Sequence, residues 1–185
     1  PTGSYRWNGL KYKNKLHNMA RALADLGTDV LPGVGCAVIG LSEVENNKVL
    51  DALVAQPELA ARGYKYCHVE GPDKRGIDCA LLYNPALFSV RDVKLVPYVY
   101  DLPKDTARAT RGFLTVSGTM AGEHLTVVVC HWPSRGASSH YREIAGTQVK
   151  AVKDSLLRDD PNCKVMVMGD MNDDPTNKST TDCLS

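Results

Sequence analysis

Apolar residues recur along the chain with two different periods, and these periods predict alternating helices and strands. Between residues 11 and 26 they fall at positions 16, 19, 20 and 23, the spacing of an amphipathic helix, and Gly27 supplies its end. A short apolar run at 36–41 predicts a buried strand. Residues 46–56 predict a second helix, capped by Asn46 or Asn47.

Strand-like segments dominate the middle of the chain. They lie at 64–70, 77–83, 87–95, 112–118 and 123–131, separated by turn-forming residues. A long helix follows over 139–158, with Ser138 or Ser139 as its cap, and a last strand over 164–169. A block of strands between helices argues against a simple doubly wound sheet. Two sheets packed face to face, with helices outside them, would bury every apolar face.

The composition fits one folded domain with a focused binding site. The chain has 185 residues, of which 43% are hydrophobic, as expected for a single domain with a packed core. Its 22 Lys and Arg residues nearly balance 21 Asp and Glu residues, which excludes a protein that coats a polyanion through overall positive charge. No apolar run approaches the roughly 20 residues of a membrane span. The compartment stays open between cytoplasmic and exported.

The six cysteines do not have the spacing of a zinc site. No CxxC pair occurs, and five of the six lie in or beside strand-like apolar runs. We therefore expect them to behave as small core residues and to bind no zinc.

Polar side chains follow three apolar runs at their carboxyl ends. Glu43 follows the first run, His131 follows 123–130, and Asp170 and Asn172 follow 164–169. Loops beyond strand ends are where functional sites accumulate. Carboxylate and amide oxygens suit Mg²⁺ or Mn²⁺, and an imidazole can donate to an anionic oxygen or move a proton.

Each of these residues also has an ordinary structural explanation. Glu43, close to Asn46, favours the start of a helix, and the run 170–175 is rich in turn formers. A single histidine such as His131 is more often a hydrogen-bonded structural residue. Their joint occurrence, in this order and at these strand ends, is much less expected by chance.

The set of segments resembles the endonuclease/exonuclease/phosphatase superfamily. Residues 39–45 (IGLSEVE) resemble its metal-binding "QE" segment, with Ser42 in place of the usual Gln, and GDMN at 169–172 resembles its GDFN motif. Residues 130–135 are similar to the strand end that carries the family's histidine, and residues 75–83 to the strand that carries the acid orienting that histidine. Residues 110–114 are similar to the strand entry that carries its arginine. The resemblance spans about residues 36–175. It implies a four-layer α-β-β-α sandwich of two mainly antiparallel sheets, with residues 1–185 forming one partial domain.

The resemblance also implies a reaction, the metal-dependent hydrolysis of phosphodiester bonds. Glu43 and Asp170 would bind Mg²⁺ or Mn²⁺, and Asp170 would also position the attacking water. Asn172 would donate to a phosphate oxygen. His131, held by Asp78, would stabilise the phosphoryl group or serve the leaving group, and a neighbouring carboxylate would keep it cationic near neutral pH.

Two arginines are expected to bind the substrate. Arg111 matches the family arginine that touches phosphate, and a guanidinium fork suits that anion. Arg135 lies just beyond His131, although a solvated surface position is equally expected for it. Arg75 and Arg142 are weaker candidates with the same ambiguity. Trp132 is expected either to stack on a base or sugar or to be a partly buried rim residue.

Two other functions remain open from the sequence. The near-neutral charge suits a phosphatase acting on a small phosphorylated molecule or lipid headgroup as well as it suits a nuclease. A binding module of the same fold without activity is the third possibility.

The family's N-terminal Asn strand and C-terminal Ser-Asp-His segment are not found here. We therefore expect a piece of a longer protein, far less active than the whole, with a phosphoester substrate and no inferred protein partner.

Overall fold

Two β-sheets lie face to face in the structure, a computed structural model that describes residues 6–99 and 110–185. In chain order the elements are α1 (Gly9–Asp25), β1 (Val38–Val44), α2 (Asn47–Val54), α3 (Pro57–Ala60), β2 (Lys65–His68), β3 (Asp78–Tyr83), β4 (Phe88–Val96), β5 (Phe113–Met120), β6 (Glu123–His131), α4 (Ser139–Asp159), β7 (Lys164–Asp170) and α5 (Lys178–Thr181). The first sheet has the order β1-β3-β2 and the second has the order β4-β5-β6-β7. Every pairing is antiparallel except β6 with β7.

Three separate hydrophobic clusters show how the layers stack. On β3, Leu82 belongs to a cluster that contains Leu50 of α2, whereas the adjacent Leu81 belongs to a cluster that contains Val127 of the second sheet. This alternation follows from the two-residue period of a strand. The third cluster joins the outer face of the second sheet to α4, where Val149 is fully buried. The predicted α-β-β-α sandwich is therefore confirmed.

The helices begin and end close to the predicted residues because their caps are readable in the sequence. The side chain of Asn46 accepts a hydrogen bond from the Val49 amide at 3.1 Å, which makes Asn46 the cap of α2. Gly27 has a φ of 69° just after α1, a backbone conformation that glycine adopts readily. The one-turn helices α3 and α5 were not predicted, since four residues are too few to show a helical period. Within the two described ranges, no helix is both long and apolar enough for a membrane crossing.

Strand β1 differs from its prediction in a way that shapes the site. It runs to Val44 rather than ending at residue 41, and its pairing with β3 shifts register between Leu41 and Val44. Such a bulge bends a strand and redirects a side chain. Glu43 lies within this irregular segment, with a φ of 60°.

Candidate functional site

The parallel pair β6–β7 brings two of the predicted residues together. His131 and Asp170 are register partners at the carboxyl ends of these strands. His131 Nε2 lies 3.9 Å from Asp170 Oδ2, and the two side chains are 5% and 54% exposed. The Trp132 amide donates to the Asp170 carbonyl at 2.9 Å, which extends the ladder beyond the histidine. A buried imidazole therefore faces a solvent-accessible carboxylate.

Glu43 reaches the same place from the other sheet. Gly40 of β1 lies against the Met168 side chain of β7, so closely that an added Cβ would come 2.8 Å from Met168 Sδ. Further along these strands, Glu43 and Asp170 line one cleft. Both carboxylates also act electrostatically on His131. The bulged end of β1 thus places a second carboxylate beside the β6–β7 end.

Asn172 holds the turn that follows β7. Its amide donates to Asp170 Oδ1 at 2.9 Å, and its side-chain Nδ2 donates to the Trp132 carbonyl at 3.0 Å. One of the two amide hydrogens is thereby used inside the protein. Donation from Asn172 to a phosphate oxygen stays a prediction that involves the other hydrogen.

Left-handed backbone occurs at two of these residues. Glu43 has a φ of 60° and Asn172 a φ of 51°. Asparagine tolerates this conformation, but glutamate adopts it rarely, and strain of this kind costs on the order of 1–3 kcal/mol. Such strain persists where the surrounding structure imposes it, often at functional positions.

Arg111 is buried, and its guanidinium binds other groups of the protein. Its side chain is 6% exposed, and it forms a 2.9 Å ion pair with Asp73. Its Nε and Nη2 donate to the carbonyls of His131 and Trp132, both at 3.1 Å. Arg111 therefore fixes the end of β6 and ties it to the loop between β2 and β3. A direct contact between Arg111 and phosphate stays a prediction. Few N–H donors of the guanidinium remain for it, because Nε, Nη1 and Nη2 each donate to an internal acceptor.

Asp73 is the residue at this end of the sheets that the sequence did not indicate, and the structure shows it as the buried partner of Arg111. It sits in a turn-forming stretch, Gly71–Gly76, where an aspartate is ordinary. Its carboxylate also accepts the Arg75 amide at 2.9 Å. The sequence shows an acidic residue in this loop and an arginine just before a predicted strand. It does not show that the two side chains meet, because it does not show which loop reaches which strand.

The predicted hydrogen bond between Asp78 and His131 is wrong. Asp78 Oδ2 lies 3.2 Å from His68 Nε2, and Oδ1 accepts the Gly71 amide at 3.0 Å. The reason is the parity of the strands. Asp78 lies on the same side of β3 as Ala80 and Leu82, which pack against the helices, whereas His131 lies on the same side of β6 as Val127 and Val129, which face the first sheet. A catalytic role for Asp78 stays a prediction, and it would act through the loop at Gly71.

The expectation of a cationic His131 is also corrected. Burial lowers the pKa of His131, and the nearby Arg111 guanidinium lowers it further. The carboxylates of Asp170 and Glu43 act in the opposite direction without outweighing these effects. Among the described residues, the buried Nδ1 has no hydrogen-bond partner. A pKa below its usual value favours the neutral form of the ring near neutral pH.

The other flanking candidates have different surroundings. Arg135 is exposed, pairs with Asp174 at 2.9 Å and donates through Nε to the Asn172 carbonyl at 3.1 Å, so it lies at the rim of the site. Arg142 is buried against Asp173 at 3.1 Å, which excludes the solvated surface position that the sequence left open for it. Trp132 is 1% exposed, which rules out stacking on a substrate.

The residues at this end suit a divalent cation that keeps most of its water. Within the described ranges, no group of three or more His, Cys, Asp or Glu side chains is arranged to enclose a metal ion. Glu43 and Asp170 nevertheless offer two accessible carboxylates in one cleft. Magnesium is commonly held by one or two carboxylates together with water and substrate phosphate. The donor set fits an ion of that kind.

Comparisons with known proteins agree with this fold. A family model described as "Endonuclease/Exonuclease/phosphatase family" matches residues 1–185. No curated protein matches the chain in sequence.

Several solved structures share the fold. TDP2 of D. rerio, complexed with a single-strand DNA product, is 16% identical with a TM-score of 0.65, over 95% of this chain and 60% of that one. ANGEL2, a 2′,3′-cyclic phosphatase, is 17% identical with a TM-score of 0.64, over 92% and 46%. The human Nocturnin catalytic domain, with a bound sulfate anion, is 18% identical with a TM-score of 0.59, over 78% and 54%. The chain thus spans about half the length of the structures it matches.

Proposed function

Because the chain belongs to the endonuclease/exonuclease/phosphatase family, we propose that it hydrolyses phosphodiester bonds with the help of a divalent metal ion, as a nuclease or phosphodiesterase. The observation that carries the proposal is the approach of the buried His131 to two accessible carboxylates, Glu43 and Asp170. Two structural neighbours support it, since one is described with a single-strand DNA product and another as a 2′,3′-cyclic phosphatase.

Glu43 and Asp170 are the residues that would hold the ion. Enzymes of this family generally use divalent metals, and we favour Mg²⁺ or Mn²⁺ because both donors are carboxylate oxygens. When bound, such an ion supplies charge neutralisation at the phosphoryl group. Asp170 Oδ1 is already engaged with the Asn172 amide, which leaves Oδ2 directed toward the cleft and His131.

His131 would donate a hydrogen bond from Nε2. A neutral imidazole carries one proton, and a buried N–H without a partner is less tolerable than a buried acceptor. Since Nδ1 is buried and unpartnered among the described residues, the favoured tautomer has its proton on Nε2. That proton points to Asp170 and, with substrate present, to an anionic phosphoryl oxygen. Preorganised donors of this kind act mainly on charge that develops in the transition state.

Substrate size separates the main proposal from its alternative. A phosphatase that acts on a small phosphorylated molecule or lipid headgroup is favoured by one observation, the net charge of +1, because extended nucleic acids are usually bound by basic surfaces. Arg111, Arg135 and Asn172 remain the predicted substrate-binding residues in either case. A binding module without activity predicts no turnover at all.

The test compares hydrolysis of bis(p-nitrophenyl) phosphate, p-nitrophenyl phosphate and nicked DNA with Mg²⁺, with Mn²⁺ and with EDTA. We expect EDTA to abolish turnover, and Glu43→Gln and Asp170→Asn to lower it at least about a hundredfold, because each weakens the binding of the cation whose charge would stabilise the transition state. Asp92→Asn, an exposed acid on β4, is the control and should leave turnover unchanged. Turnover that survives both EDTA and Glu43→Gln would refute the metal mechanism.

A further inference from the structure

We propose that Arg75 is a phosphate-binding residue of this site, in the role that the sequence assigns to Arg111. The inference rests on the proposed function, since it concerns the phosphoryl group of the same substrate. Arg75 lies in the loop between β2 and β3, and its side chain is 58% exposed. Its Nη1 is 3.7 Å from Glu43 Oε1, at the edge of the cleft that Glu43 shares with Asp170.

The loop that carries Arg75 is held in place on both sides. Asp73, buried against Arg111, accepts the Arg75 amide at 2.9 Å through its other carboxylate oxygen. Asp78 fixes the start of the same loop by accepting the Gly71 amide. The backbone at Arg75 is therefore anchored, although the side chain extends into solvent. An anchored backbone with an accessible guanidinium suits a residue that meets a ligand.

The guanidinium of Arg75 is less committed than those of its neighbours. Arg111 directs three nitrogens to internal acceptors, and Arg135 has an acceptor at 2.9 Å. The two acidic contacts of Arg75 are longer, 3.7 Å to Glu43 and 3.6 Å to Asp73 Oδ1. Long contacts of an exposed guanidinium contribute little stability, so exchanging them for a phosphate costs little free energy.

The chemistry of the side chain fits a phosphoryl group. A guanidinium fork donates two parallel N–H bonds to two oxygens of one phosphate. The position also fits, because the Arg75 guanidinium lies 3.7 Å from Glu43, one of the two carboxylates proposed to hold the ion at the phosphoryl group. Arg75 would thus approach a phosphoryl group from the side of Glu43.

The experiment uses the full chain with Arg75→Gln, Arg75→Lys and the control Arg91→Gln, an exposed arginine on β4 beside His124. Three quantities are measured: the dissociation constant of inorganic phosphate by calorimetry with Mg²⁺ present, KM and kcat for bis(p-nitrophenyl) phosphate, and the dissociation constant of Mn²⁺. We expect Arg75→Gln to weaken phosphate binding and raise KM about tenfold or more, as for loss of a charged hydrogen bond. Arg75→Lys should recover part of the loss, and Arg91→Gln should match the wild type.

The outcomes separate this inference from the proposed function. Unchanged phosphate affinity in Arg75→Gln would overturn the inference, as would a loss matched by weaker Mn²⁺ binding, which would mean that Arg75 only orients Glu43. If the wild type hydrolyses no phosphoester, the proposed function fails and the phosphate titration alone decides the role of Arg75. A wild type that hydrolyses the diester but binds no phosphate overturns the role of Arg75 and leaves the proposed function standing.

Discussion

The two ends of strand β6 each carry a histidine, and their surroundings differ in every respect that matters for chemistry. His124 at the start is exposed, and both ring nitrogens have partners: Nδ1 lies 2.7 Å from Asp160 Oδ2 and Nε2 lies 3.2 Å from Arg91. His131 at the end is buried, with Nδ1 unpartnered among the described residues and Nε2 facing Asp170 at 3.9 Å. At the start of β6, both ring nitrogens of an exposed histidine have partners. At its end, a buried histidine has a ring nitrogen without a hydrogen-bond partner among the described residues.

The difference shows where the fold tolerates unfavourable local structure. The His131 end also holds the left-handed Glu43 and Asn172 and the buried Asp73–Arg111 ion pair. Burying an ion pair requires desolvation of both charges, and non-glycine left-handed backbone is strained. Left-handed backbone also occurs at the other end, at Ala121, so the features that distinguish the His131 end are the buried ion pair and the imidazole nitrogen without a partner among the described residues. They support our proposal that this end is the functional one.

The largest expected difference between the two ends is in turnover. Replacing His131 with Asn should lower kcat for bis(p-nitrophenyl) phosphate about 10²–10³-fold, the usual cost of removing a preorganised donor to charge that develops in the transition state. The matched change His124→Asn should leave kcat within about twofold, since an exposed ion pair contributes little. Equal effects of the two variants, measured at matched folded fraction, would contradict the assignment of the site to the His131 end.

The next largest difference is in stability. Removing the Asp73 carboxylate with Asp73→Ala leaves Arg111 charged and buried, and loss of one partner of a buried pair costs about 3–5 kcal/mol. Asp160→Ala removes the exposed partner of His124 and should change the free energy of unfolding far less. Urea denaturation of the three proteins measures both effects. A small effect of Asp73→Ala would mean that solvent reaches Arg111.

The smallest expected difference is in the response to acid. Burial alone would raise the pKa of Asp73, but the Arg75 amide and the Arg111 guanidinium outweigh it and lower the pKa. Because the folded-state pKa lies below the unfolded value of about 3.9, Asp73 contributes stability above that pH. The contribution is lost as the pH falls through the folded-state pKa.

The acid response can be measured with Asp73→Asn. The difference in free energy of unfolding between wild type and variant should be largest near pH 7 and should shrink toward pH 3. A difference that does not vary with pH would show that Asp73 acts through its shape rather than its charge. Asp92→Asn serves as the exposed control on β4.

Most of the fold was predictable because its signals are local. The strand predicted at 123–131 matches β6 at both ends, and the helix predicted at 139–158 matches α4 within one residue. Hydrophobic period, caps and turn residues determine such elements from neighbours in sequence. The bulge in β1 was not predictable from these signals, because it arises from pairing with β3 and leaves the composition of the run unchanged.

The candidate site was only partly predictable because its contacts are distant in sequence. Placement of His131 and Asp170 at strand ends followed from the apolar runs before them. The partner of Asp78 depended on which face of β3 it occupies, and His68 was a nearer acceptor or donor on that face. The burial of Arg111 depended on the loop at Asp73 crossing to the second sheet, which no local pattern in the sequence encodes.

The left-handed backbone at Glu43 has a consequence for how this chain changes over generations. Glycine removes the steric strain at such a position, so Glu43→Gly would gain on the order of 1 kcal/mol of stability from the backbone. Selection for folding alone would therefore move residue 43 away from glutamate. A lineage that retains the acid there is under selection for what the carboxylate does. One that has drifted to glycine has lost the carboxylate and gained stability of the fold.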